Sequence, residues 1–224
     1  MTFSVVGRCA RTGAFGVAIS SSSPAVAARC AHVRGGVGAA TTQNVTDPRL
    51  GPELLDGLAK GLSSEESVRM VAESAPFAAY RQLTCVDREG RASAWSGKHT
   101  LGLHAHLERA DVVAAGNLLA SHEIVPAMVA AFESSVELHL AERLLRALEA
   151  GLAAGGEAGP VRSAGLLVAE DVGWPTTDLR VDWQAEPVVE LRTLWTVWAP
   201  QARDYVSRAL DPTAAPSFGV PGDA

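Results

Sequence analysis

Lysine is almost missing from this 224-residue chain, at positions 60 and 98 only, and its basic residues are scattered, with a net charge of −6. That distribution lacks the basic footprint of a nucleic-acid binder. No apolar run is long enough to span a bilayer, and the N-terminus has neither the basic region nor the apolar core of a signal peptide. A cytoplasmic protein with no membrane contact is expected. Cysteine is scarce: Cys9, Cys30 and Cys85 are odd in number and without zinc or redox spacing, which favours buried reduced thiols over a disulfide framework.

Cofactor signatures are equally thin. Gly36-Val37-Gly38 lacks the third glycine and the ribose-holding acid of a dinucleotide fingerprint, and no Ser or Thr follows Lys98 as a phosphate loop requires. There is no Gly-x-Ser-x-Gly elbow. His104 and His106 fall on one face of a strand, but no third ligand accompanies them. The expectation is therefore no metal and no cofactor.

The N-terminal segment offers more. Thr2 to Val6 and Phe15 to Ile19 are β-branched and aromatic runs separated by the turn signal Thr12-Gly13, so the chain begins inside a hairpin. Loss of Met1, which a small second residue permits, would leave Thr2 with a hydroxyl and a free α-amine on one residue. Such an amine titrates near about 7.7 to 8, and a threonine hydroxyl needs a neighbouring base of that kind to act as nucleophile.

Further along, the glycine-rich stretch Gly36 to Gln43 enters a third strand, and Leu54, Leu55, Leu58 and Leu62 recur at helical spacing. Ser63 and Glu66 form a capping box opening a second helix. Gln82 to Asp87 and Ala92 to Ser96 read as a hairpin, and Val112 to Ala115 as a strand. Helices are expected from about Ser121, from about Leu138 to Ala154, and over Pro187 to Leu210 with a break at Pro200. Strands are expected at Ala164 to Ala169 and Leu179 to Asp182. Helices that come in pairs argue against a doubly wound sheet or a TIM barrel. Two packed sheets, each covered by a helix pair, fit the order. This is an α+β chain forming one domain over residues 1–210, with a Pro, Gly and Ala-rich disordered tail over 211–224. A homodimer is the expected assembly.

Several stretches resemble one bacterial family: Thr12-Gly13, Gly36-Val-Gly-Ala-Ala-Thr-Thr-Gln43, Arg81-Gln82-Leu83, Gly116-Asn117-Leu-Leu-Ala120, Gly155-Gly156, Arg162-Ser163-Ala164 and Asp178-Leu-Arg-Val-Asp182. Their order and spacing, from Thr2 to about Leu194, resemble the domain of unknown function family 1028. The resemblance implies an N-terminal-nucleophile (Ntn) hydrolase, a four-layer αββα sandwich, and cleavage of a C–N bond in a small amide or ureido compound.

The matching nucleophile is Thr2. The glycine-rich stretch resembles the turn that gives Ntn enzymes an oxyanion N–H, making Gly36 or Gly38 the candidate donor, with Asn117 as a side-chain donor. Ser21 and Ser22 end the second strand within reach of the Thr2 amine. Thr42, Gln43, Arg81, Arg162 and Ser163 are candidate substrate contacts. Cys9 and Glu157 stand where the family usually has Asp, a departure that admits the alternative of a non-catalytic binding or scaffold protein.

Overall fold

The computed structural model describes residues 1–220. The described chain is a mixed α/β protein with two antiparallel sheets and seven α-helices. Strands β1 (Thr2–Arg8), β2 (Phe15–Ser21), β7 (Ala105–Arg109), β8 (Val112–Asn117), β9 (Ser163–Ala169) and β10 (Pro175–Val181) form one sheet, ordered β10-β9-β2-β1-β8-β7. Strands β3 (Ala31–Arg34), β4 (Gly38–Asn44), β5 (Arg81–Asp87) and β6 (Ala92–Ser96) form the other, in chain order.

Period-two alternation decides what each strand faces. From β1, Phe3 and Val5 join one buried cluster with Met128, Phe132, Leu144 and Leu148, which come from α4 (Ile124–Glu133) and α5 (Leu140–Ala153). Val6 points the other way, into a cluster with Val17, Ile19, Ala39, Val86 and Val113 drawn from both sheets. A third cluster packs Leu54, Leu55, Leu58, Val68 and Val71, from α2 (Leu50–Ala59) and α3 (Ser64–Ser74), on Ala40, Leu83 and Cys85 of the second sheet. Close approach of α4 and α5 to β1 and β2 depends on the facing pair Gly7 and Gly16. A Cβ on Gly16 would stand 2.6 Å from Leu144 Cδ1, and one on Gly7 would stand 2.6 Å from Phe132 Cε2.

The expected capping box closes α3, with Ser63 and Glu66 bonded reciprocally. The last helical stretch breaks where Pro200 predicts, into α6 (Pro187–Trp198) and α7 (Ala202–Leu210). The short helix α1 (Val26–Cys30) runs directly into β3, which places His32 in a strand. Of the tail, residues 211–220 carry no helix or strand, and Arg208 stacks 3.8 Å over the Phe218 ring; 221–224 lie outside the described residues. All three cysteines are buried and unpaired. No described helix is long and apolar enough to cross a membrane.

Candidate active site

Because neighbouring strands are antiparallel, the start of β1 lies beside the ends of β2 and β8, and the start of β9 lies beside the end of β2. Thr2, Ser21, Asn117 and Ser163 therefore gather at one end of the first sheet. The second sheet brings Gln43 and Gln82, partners across β4 and β5, to the same end.

Thr2 is buried, at 5% exposure. Its Oγ1 lies 3.3 Å from Ser21 Oγ, and both hydroxyls donate to the main-chain carbonyl of Met1. Ser21 Oγ accepts the Ser23 N–H at 3.1 Å, which fixes the hydroxyl in place. Two alcohols thus converge on the peptide carbonyl immediately before Thr2.

Next to them, a chain of amides crosses between the sheets, all of it buried. Its polarity can be read from a main-chain anchor. The Gly116 carbonyl can only accept, so the group facing it at 3.1 Å is Gln82 Nε2, which also donates to Ser96 Oγ at 3.1 Å. Gln82 Oε1 then accepts from Gln43 Nε2 at 2.8 Å and from Asn117 Nδ2 at 3.2 Å. Gln43 Oε1 is left to accept the Ser4 hydroxyl at 2.7 Å. The chain ends at Asn117 Oδ1, a buried acceptor with no partner. Asn117, opposite Thr2 across β1 and β8, therefore presents an acceptor there, while one hydrogen of its Nδ2 bonds Gln82 and the second remains for the expected oxyanion role.

A carboxyl completes the cluster. Glu157, 5% exposed, receives the Ser22 N–H on both oxygens at 3.1 Å. Burial pushes its pKa up to about 7, against the opposing pull of the Met1 ammonium and the Ser22 bond. Glu157 also lines a cavity of about 260 Å³ whose walls include Leu152, Pro160, Val161 and Val188. Met1 reaches towards it: a Cβ on Gly159, another lining residue, would stand 3.3 Å from Met1 Cε.

The other expected residues either lie away from Thr2 or hold the backbone around it. Gly38 pairs with Asp87 at the far end of β4, five residues from Gln43 and roughly 16 Å along the strand. A Cβ there would meet Leu58 and the Val86 carbonyl at 2.6 Å, so this glycine serves packing and cannot reach Thr2. Thr42 faces away from the sheet interface and bonds the Asp47 carbonyl at 3.3 Å. Arg81 holds the Val45 carbonyl. Ser22 contributes its N–H to Glu157, whereas Ser163 clamps the loop after β2 by donating to the Ser23 carbonyl at 2.6 Å. Arg162 is fixed through its main chain, its N–H bonding the Ser21 carbonyl at 2.8 Å. His104 and His106 bond Gly102 and Ser96 respectively, and no group of three or more metal-ligating residues occurs among the described residues.

Ser4, Gln82 and Glu157 were not singled out as site residues from sequence. The only signal for Glu157 was its departure from the family pattern, and Gln82 appeared only as a member of a matching triplet.

The family model described as "Family of unknown function (DUF1028)" matches residues 2–191. Among solved structures, protein SPO2555 from Silicibacter pomeroyi, assigned to the same family, is 30% identical; the match covers 91% of this chain and 94% of that one, with a TM-score of 0.83. Anbu (ancestral beta-subunit) from Yersinia bercovieri is 12% identical over 91% of this chain and 97% of that one, with a TM-score of 0.40, a likeness too slight to bear on fold or function. No curated protein matches the chain.

Proposed function

The chain belongs to the family of unknown function DUF1028, and from that starting point we propose that it is an Ntn-type amidohydrolase with Thr2 as nucleophile. In this reading the two sheets and their helix pairs form a four-layer αββα sandwich, and the reaction cleaves a C–N bond in a small amide or ureido compound. The observation that carries it is the convergence of the Thr2 and Ser21 hydroxyls on one carbonyl, with Glu157, bonded to the neighbouring Ser22 N–H, lining a cavity.

Once Met1 is removed, the Thr2 amine becomes the base its own hydroxyl lacks. Thr2 Oγ1 adds to the substrate carbonyl, its proton passing to the amine, and the same proton then leaves with the departing nitrogen. Ser21 Oγ–H, which already donates to the Met1 carbonyl, stabilises the oxyanion. Water hydrolyses the resulting ester and frees Thr2. Asn117 Oδ1, the unpartnered acceptor opposite Thr2, orients the amine by accepting one of its hydrogens.

Intact mass of the purified protein comes first, because retained Met1 leaves the Thr2 nitrogen an amide that cannot take a proton. A panel of small amides and ureido compounds, read by ammonia or amine release, then tests turnover. Thr2→Ala should abolish it while leaving the melting temperature unchanged. Turnover unaffected by Thr2→Ala would refute the assignment, and a fully processed chain inert to the whole panel would favour the non-catalytic binding alternative.

A further inference from the structure

Met1 is not idle in the structure. Its carbonyl receives the two hydroxyls of the site, its ammonium lies in the field of the Glu157 carboxyl without closing to a salt bridge, and its thioether runs against Gly159 at the cavity wall. An α-ammonium, a carbonyl and an unbranched apolar side chain are thus each met by a complementary surface. We propose that the seat Met1 occupies is the acyl subsite, and that the substrates are amides of α-amino acids with a free amino group and a slender apolar side chain.

This inference rests on the Thr2 reading and narrows it. A substrate acyl group attached to Thr2 Oγ1 lies one short displacement from an acyl group attached to the Thr2 nitrogen, because both atoms belong to the same residue. The peptide-linked methionyl group therefore marks where a transferred aminoacyl group sits. Glu157 selects the amino group: it is a buried carboxyl whose hydrogen-bond donors all come from Ser22, with capacity for a further donor. The side chain is selected by shape, since Gly159 leaves a slot that a Cβ would narrow and Leu152, Pro160, Val161 and Val188 supply apolar walls. An N-acylated analogue would bring no charge to Glu157 and would place extra atoms against it.

The test uses the full chain with Met1 removed, confirmed by mass, in wild-type, Thr2→Ala, Glu157→Gln and Gly159→Val forms. Binding of L-methioninamide and N-acetyl-L-methioninamide is measured by calorimetry on the Thr2→Ala protein, alone and combined with each of the other two substitutions, and ammonia release by the wild type is measured with both compounds. The free-amine compound should bind roughly ten- to a hundred-fold more tightly than its acetylated counterpart. Glu157→Gln, which keeps an acceptor for Ser22 N–H, should erase that preference, and Gly159→Val should weaken binding of both.

Equal affinity for the two compounds, or a preference that survives Glu157→Gln, overturns the subsite. Binding with the expected preference but no ammonia release from the wild type upholds the seat and overturns Thr2 as nucleophile. Turnover of other amides with no discrimination at Glu157 does the reverse.

Discussion

Glu157→Gln also makes a prediction that needs no substrate. Burial raises the Glu157 carboxyl from its ordinary 4.5 to about 7. The folded protein therefore keeps this proton over a range in which the unfolded chain has already lost it. Folded protein binds more protons between pH 4.5 and 7, so this group's contribution is fully present below 4.5 and is lost as pH rises through 7. At about 1.4 kcal/mol per tenfold, the gap is worth about 3 kcal/mol. The amide introduced by the substitution cannot ionise and keeps the Ser22 bond, so the variant lacks this slope. The sign holds with or without Met1, because the principal cause is burial. Urea unfolding of both proteins at several pH values from about 4.5 to 8.5 isolates the effect, since all other groups cancel in the difference. The stability of the variant relative to wild type should rise by about 3 kcal/mol across that range, or on the order of 6–12 °C in melting temperature. Parallel pH–stability curves would refute the reasoning.

Other perturbations follow from neighbouring contacts. Gln82→Leu strips partners from Gln43 Nε2, Asn117 Nδ2 and the Gly116 carbonyl at once; at about 1–3 kcal/mol each, stability in urea should fall by roughly 3 kcal/mol or more. Ser21→Ala removes the hydroxyl that bonds the Met1 carbonyl and is proposed to stabilise the oxyanion, and should lower kcat by roughly 100-fold with little change in KM; a larger change in KM than in kcat would place Ser21 in substrate binding instead. Alkylation followed by mass spectrometry should label Cys9 before Cys30 and Cys85. Burial works to raise the Cys9 pKa, but the Thr12 hydroxyl and N–H, the Arg11 N–H and Arg143 outweigh it, whereas burial dominates at Cys30 and Cys85. Labelling of Cys85 first would contradict this order.

Much of the fold was legible because local signals coincide with it. The β1–β2 hairpin carries its turn at Thr12-Gly13, where Gly13 has a φ of +73°. The α3 cap and the Pro200 break were written in single residues. Strand β7 was glimpsed only at His104 and His106 and its extent was not, because Ala105–Arg109 is a largely polar edge with no buried apolar alternation. Strand β3 was missed because four residues directly after a five-residue helix leave no period to read.

The site was less legible, for a physical reason. A strand sequence shows which residues share a face but not which end of the sheet they occupy, and Gly38 was misplaced on that account. Gln43 illustrates the converse: it lies at the right end only because β4 runs towards the opening of β1, a fact carried by pairing with β5 and by the Ser4 bond. Likewise, the donor or acceptor role of Asn117 is not a property of asparagine. It is set at a distance by the main-chain carbonyl of Gly116, which turns Gln82, which in turn takes Asn117 Nδ2 and leaves its oxygen bare. A substitution that removes the Gln82 donor tests that anchor, and Gln82→Glu provides it. Ionised, the new carboxylate would accept from Asn117 Nδ2 as before but could donate nothing to Gly116. Neutral, it retains one donor, so the variant is expected to bind a proton on folding and to lose stability as pH rises. A pH-independent loss of stability, read by urea unfolding, would show that the Gly116 bond does not set the direction of the chain.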